Sequence, residues 1–281
     1  MLFGVFLAIS VLTAVGICVG TGAFEALSWL WVLPVSFVGV FFGLVILLFL
    51  LMLVMAAAVD MDKPQEKDSP FYRAVVMKMI SLLVPLLRIR IVEKGMEQAP
   101  KSGRFLLVCN HLHEIDPAVL LRAFPKCRLA FISKREVDNM FLVGQFLHKM
   151  LGQPINREND REALKTILKC IDILKKDKAS IAVFPEGGIK GGNVLHPFRH
   201  GVFKIALRTK VPVVVCTLWG TQDVVHNGLR LKHTDVDFRV VGVVQPEIYQ
   251  DMTAVELGQM VHGMMAKDLG PERVLFVEET P

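Results

Sequence analysis

The 281-residue chain is 53% hydrophobic, with a mean hydropathy of +0.47. That is too apolar for an ordinary soluble domain and points to membrane segments. The formal net charge is +5 and no Lys or Arg precedes Lys63, so the cationic part is the one after residue 62, suited to an anionic lipid surface; no helix-turn-helix, RNP or zinc-finger pattern supports a nucleic-acid partner.

Residues 2–19 and 29–59 are apolar runs, the second longer than the roughly 20 residues needed to cross a bilayer. Gly20-Thr21-Gly22-Ala23-Phe24-Glu25 separates them as a turn. A secretory signal would carry cations ahead of its apolar run, and none is present. Two spans forming a transmembrane helical hairpin are expected, with Trp29 and Trp31 at the outer interface; the alternative is that one or both runs lie within the membrane without crossing it. Lys63, Lys67, Arg73, Lys78, Arg88 and Arg90 follow, so the positive-inside rule places the remainder, and the N-terminus, on the cytoplasmic face. The polar residues 60–70, with Pro64 and Pro70, read as a linker. The expected division is a membrane-anchoring hairpin, 1–62, and a cytoplasmic domain, 63–281.

In 71–87, Phe71, Val75, Met79, Leu82, Leu83 and Leu86 fall near helical spacing, and Pro85 should close the helix. Such a helix either lies on the membrane surface or packs on the soluble core. Strands are expected at 88–93, 105–109, 128–133, 180–184, 211–218 and 236–244, with a short extended piece at 154–156. Helices are expected at 117–124, 139–150, 161–176, 202–208 and 253–267. In 161–176, Leu164, Ile167, Leu168, Ile171 and Leu174 share one face, away from Lys165, Lys169, Asp172 and Lys176. Thr253-x-x-Glu256 opens the last helix as a capping box. The alternation predicts an α/β domain with a mixed, largely parallel central sheet flanked by helices. Ligands of such sheets bind beyond the strand C-terminal ends. The five cysteines are scattered, with no C-x-x-C pair, and read as reduced core residues rather than a disulfide framework or zinc site.

Three polar motifs follow strands. Asn110-His111-Leu112-His113-Glu114-Ile115-Asp116 puts a histidine at a strand end and an aspartate five residues on, at a helix start. The carboxylate could bond one imidazole nitrogen and leave the other to take a proton. Two other readings of the stretch are a helix cap with a satisfied polar side chain, and a metal site on His111-x-His113. Asn156-Arg157 offers a guanidinium at a strand end, either for a phosphate or for a surface ion pair. Phe184-Pro185-Glu186-Gly187-Gly188 closes a strand with a carboxylate and two glycines, and His196, Arg199, His200 and Lys204 add potential cations after it; this is an anion loop or an ordinary turn.

Taken in order, Asn-His-x-x-x-x-Asp at 110–116, Pro-Ile-Asn-Arg at 154–157, Phe-Pro-Glu-Gly at 184–187 and Val-Pro-Val-Val-Val at 211–215 resemble the motifs of the glycerolipid acyltransferases, specifically the 1-acyl-sn-glycerol-3-phosphate (lysophosphatidic acid) acyltransferases. The resemblance covers roughly residues 70–245. It implies that His111 is the base and Asp116 its partner. Arg157, Glu186, Gly187 and Lys190 would bind the acceptor, and Pro212 would belong to a fourth motif that shapes the acyl or catalytic region. It also implies acyl transfer from acyl-CoA or acyl-carrier protein to the sn-2 hydroxyl of lysophosphatidic acid, giving phosphatidic acid in phospholipid synthesis, with no cofactor and no metal. Another lysolipid or glycerol-phosphate acceptor is the alternative, and a metal-dependent membrane hydrolase a further one. The chain departs from the family pattern after Phe-Pro-Glu-Gly. Gly188-Ile189-Lys190 stands where Thr-Arg-Ser is usual, and Lys190 is the cation nearest the missing arginine.

Overall fold

The computed structural model describes residues 2–275. Both apolar runs are helical, α1 (Leu2–Gly20) and α2 (Trp29–Ala57), because a helix satisfies its backbone polar groups internally where no water can. Phe41 of α2 meets Phe3 and Phe6 of α1 edge-on, with ring centroids 5.7 and 6.4 Å apart. The 19 residues of α1 and 29 of α2 correspond to about 28 and 43 Å of helix, so α2 outruns its partner. Its later residues pack on α3 (Pro70–Leu86): Leu44 and Leu48 join Leu82 and Leu86, while Met52, Met55 and Ala56 join Tyr72, Val75 and Phe146. Tyr72 Oη also donates to the Met55 carbonyl at 3.0 Å.

The opposite side of α3, with Ile80, Val76 and Met77, packs into the core of the following domain. Of the two placements open to it from sequence, the helix takes packing on the core, and its other side rests against the hairpin. Pro85 falls in its last turn, as expected.

The domain is built on seven strands: β1 (Ile89–Lys94), β2 (Leu106–Cys109), β3 (Leu129–Lys134), β4 (Gln153–Ile155), β5 (Ser180–Val183), β6 (Val213–Trp219) and β7 (Thr234–Val244). They lie in the order β1-β7-β6-β2-β5-β3-β4, parallel throughout except for the antiparallel β6–β7 pair. β2 and β5 are buried along their whole length, which explains why their sequences are apolar apart from Ser180 at the start of β5.

One face of the sheet is covered by α7 (Asp160–Lys175), α8 (Lys204–Thr209) and α11 (Ala254–Leu269), the other by α3, α4 (Asp116–Ala123) and α9 (Val224–Leu229). The architecture is the mixed, largely parallel α/β sheet expected. Thr253 and Glu256 form the expected capping box on α11. Cys109, Cys170 and Cys216 are free, buried thiols, and burial pushes that of Cys170 up to about 12.

Several elements depart from expectation. The helix expected at 139–150 is shortened to α6 (Val143–Lys149), a separate turn, α5 (Arg135–Asp138), precedes it, and Leu142 at φ +78° stands between them. Gly144 lies so close to the Asp138 carbonyl that a Cβ there would stand 2.1 Å from the oxygen. Residues 200–203 form a 3-10 turn before α8. α9 and α10 (Pro246–Tyr249) are too short to leave a periodic signal. The buried stripe of α7 is rotated from the expected one. Thr166, Ile167, Cys170, Ile171, Ile173 and Leu174 face inward, and Leu164 and Leu168 are about half exposed.

Candidate active site

The parallel strands β2, β5 and β4 all end at one edge of the sheet, and this brings the three motifs together. Asn110, the first residue after β2, is buried and pinned to β6. Its amide donates to the Leu218 carbonyl at 2.9 Å and accepts from the Leu218 N–H at 2.8 Å. His111 therefore leaves the sheet from a fixed point.

Asp116 is the first residue of α4 and is fully buried. Its Oδ2 accepts from the Leu112 and His113 N–H groups at 2.7 and 2.9 Å, and lies 2.8 Å from His111 Nδ1. An oxygen already accepting two main-chain N–H bonds faces the ring as an acceptor, so Nδ1 carries the proton. In the neutral ring, Nε2 is then the basic nitrogen. The ring lies flat on Phe184, centroids 4.1 Å apart and planes at 17°, with Phe131 stacked behind. His113 turns to its own loop, where Nδ1 accepts from the Ile115 N–H at 3.3 Å. Among the described residues no three His, Cys, Asp or Glu side chains gather as metal ligands would.

Glu186, expected to belong to the acceptor site, is buried, and both its oxygens accept main-chain N–H bonds: Oε1 from His111 at 2.8 Å and Oε2 from His196 at 3.0 Å. The carboxylate ties the His111 turn to the loop after β5. Burial pushes its pKa up to about 7, against those two hydrogen bonds and the charges of His111 and Lys190.

Beside this tie lies a cavity of about 180 Å³, with Ile132, Ile155, Ile167 and Phe184 in its wall and Arg157 and Arg199 at its polar side. Arg157, half-buried, follows β4, and its guanidinium is held below its usual pKa, first by burial and then by the charge of Arg199. Arg199 Nη1 donates to the Arg157 carbonyl at 3.3 Å, and the Arg199 main chain donates to the Pro185 carbonyl at 2.8 Å. Gly187 and Gly188, at φ +84° and +142°, form the floor between them. Lys190 is exposed and makes no hydrogen bond or ion pair among the described residues, and the guanidinium beside Arg157 comes from Arg199 instead. Pro212 lies away from the site. Its carbonyl accepts from the Leu106 N–H, at the start of β2 and thus at the opposite sheet edge from His111. Sequence reasoning assigned no role to Asn110 or Phe184, and named Arg199 and His196 only as potential cations; nothing local in the chain distinguishes them.

A family model described as Acyltransferase matches residues 90–219. A 1-acyl-sn-glycerol-3-phosphate acyltransferase of Cocos nucifera is 26% identical over 169 residues, 60% of this chain and 54% of that protein. A chloroplastic one of Brassica napus is 34% identical over 146 residues, 51% of this chain and 42% of that protein. A probable one of Mycoplasma pneumoniae is 28% identical over 202 residues, 69% of this chain and 74% of that protein. The chain thus spans about half the length of the two plant relatives. The crystal structure of the 1-acyl-sn-glycerophosphate acyltransferase PlsC from Thermotoga maritima superposes with a TM-score of 0.59 at 22% identity, over 81% of this chain and 89% of that one, which establishes a shared fold. With its motifs in order on that fold, the chain is similar, over residues 90–219, to the acyltransferase family and to the 1-acyl-sn-glycerol-3-phosphate acyltransferases named above.

Proposed function

We propose that the protein transfers a fatty acyl group from a thioester, acyl-CoA or acyl-carrier protein, to the sn-2 hydroxyl of lysophosphatidic acid, giving phosphatidic acid. The observation that carries this reading is the His111–Asp116 pair, its Nδ1 committed to a buried carboxylate and its Nε2 left as the base. The acceptor hydroxyl gives its proton to Nε2 as its oxygen bonds to the thioester carbonyl carbon. Collapse of the tetrahedral intermediate breaks the C–S bond, and the departing thiolate takes the proton from the imidazolium. Asp116 orients the ring and stabilises its charged form, as in the Asp–His half of a hydrolase triad. The acceptor is itself the nucleophile, so no acyl-enzyme forms, and the reading calls for neither metal nor cofactor. General-base assistance supplies roughly 10²–10⁴ in rate, and positioning supplies much of the rest.

In this reading Arg157 binds the acceptor phosphate and Glu186 is a positioning residue that holds the His111 main chain. The hairpin of residues 1–62 serves as the membrane anchor, and the catalytic domain of residues 63–281 sits on the cytoplasmic face. The test is transfer from labelled acyl-CoA by the purified full chain to a panel of lysolipids. Phosphatidic acid is expected only when lysophosphatidic acid is added, in the presence of a chelator as in its absence. Label released to water without an acceptor, and abolished by the chelator, would replace this reading with a hydrolase.

A further inference from the structure

We propose that Arg199, and not Lys190, supplies the second cation of the acceptor-phosphate site, and that the Gly187-Gly188 floor exists to let it. This rests on the acyltransferase reading and deepens it. The family pattern has an arginine where Ile189 stands and a threonine where Gly188 stands, so a site that kept its phosphate chemistry must draw its cation from elsewhere.

The geometry supplies one. The side chain of Arg199 lies across Gly187 so closely that a Cβ there would stand 2.9 Å from Nε and 3.0 Å from Cδ. A Cβ on Gly188 would stand 3.2 Å from Arg157 Nη1. The two glycines thus form a saddle, one guanidinium on each side. A threonine at position 188 would have to adopt φ +142°, a conformation open to glycine and strained for a β-branched residue, and would crowd Arg157. Glycine at position 188 and the seat of the two arginines therefore go together.

Two guanidiniums placed side by side repel, and here no carboxylate within salt-bridge distance offsets them among the described residues. Asp160 lines the same cavity and is bonded to neither, and Glu136, whose charge acts on Arg157, is paired with Lys134 at 2.8 Å. Such a pair is completed by an anion that accepts from both forks. A phosphomonoester dianion, with three terminal oxygens, fits that requirement; the planar fork of donors is what a lysine cannot reproduce. Lys190 contributes to the potential over the loop without taking part in this arrangement.

The experiment uses the full chain in detergent micelles, with two readouts. Calorimetric binding of glycerol 3-phosphate is compared for the natural protein, Arg199→Gln, Arg199→Lys and Lys190→Gln. Steady-state kinetics are then taken with varied lysophosphatidic acid at saturating acyl-CoA. Arg199→Gln is expected to weaken glycerol 3-phosphate binding and to raise the acceptor KM by roughly ten- to a hundredfold, with kcat changed much less. Arg199→Lys should fall between. Arg199 is exposed, so the folded state should survive, and a thermal melt checks this. An effect of Lys190→Gln equal to or larger than that of Arg199→Gln would return the site to the loop lysine and overturn the assignment. A fall in kcat at unchanged KM and binding in Arg199→Gln would show a role through the fold, and also overturn it. Glycerol 3-phosphate binding that depends on Arg199, without acylation of lysophosphatidic acid, would leave the assignment standing and sink the acyltransferase reading instead.

Discussion

At the scale of single residues, the proposed base, His111, and its partner, Asp116, give the sharpest expectation. His111→Ala should lower transfer by roughly 10²–10⁴ while leaving a folded protein, because the side chain sits at a strand end and packs chiefly on Phe184. Asp116→Asn should be as severe for a different reason. Its oxygen holds two turn N–H groups as well as the ring, so an amide there disturbs both the tautomer and the turn. His113→Ala should be mild, since its ring bonds only within its own loop; rates of the purified variants decide among these. Glu186 adds a pH dependence. Burial keeps its proton up to about pH 7, above the usual 4.5, so between those values the folded chain binds more proton than the unfolded one. The stability this contributes is fully present below the unfolded value and is lost as pH rises through 7, at most about 3 kcal/mol. Glu186→Gln removes the dependence. Between about pH 5 and about pH 7.5, the Tm of the natural protein should fall more than that of the variant; parallel curves would contradict the assignment.

At the scale of elements, function depends on turns that follow strands. Gly187 shows the coupling. Its positive φ admits a residue with a Cβ only at a cost of roughly 1–2 kcal/mol, and the added atom would collide with Arg199. Gly187→Ala should therefore lower Tm modestly and raise the acceptor KM by displacing that side chain, with thermal melts and acceptor-varied kinetics as the two measurements. An unchanged KM with a lowered Tm would mean that Arg199 holds its place without the saddle. α7 enters the site by the same logic, because Asn159, two residues after Arg157, caps it by accepting from the Arg161 and Glu162 N–H groups and so sets the helix start at Asp160. Its apolar periodicity was legible in sequence, but the direction of its inner face was not. Leu164 and Leu168 fit the stripe by spacing yet turn to the groove beside α8, while Thr166, Cys170 and Ile173 take the buried positions.

At the scale of the whole molecule, the hairpin and the α/β domain meet through α3. Leu82 is fully buried between α1 and α2, so removing residues 1–57 should expose an apolar face and produce aggregation outside detergent, measured by light scattering. The length of α1, about 28 Å, matches the roughly 30 Å of bilayer hydrocarbon, and the excess of α2 packs on α3 and α6. With the natural cysteines replaced, a cysteine near Glu25 should label from outside the cell and one near Lys67 should not. Labelling of both from one side would refute the two-span hairpin.

Two pairings show how the molecule divides between chain and fold. His111 and Asp116 are five residues apart, across a strand end and a helix start; local geometry alone brings them to bonding distance, and the sequence by itself determined that pairing. The same holds for the apolar runs, whose length and lack of charge leave them no state but helices in an apolar medium. Arg157 and Arg199 are 42 positions apart, and nothing in either segment points to the other. They meet because β5 is placed between β2 and β3, with β4 next in order, and because Gly187 has no side chain to keep Arg199 away. Glu186 makes the same point in reverse. Its Pro-Glu-Gly-Gly setting reads as an anion loop, but tertiary packing buried it between two loops whose N–H groups it had to accept, since a buried carboxylate without donors would have been far more costly than one that ties the site together.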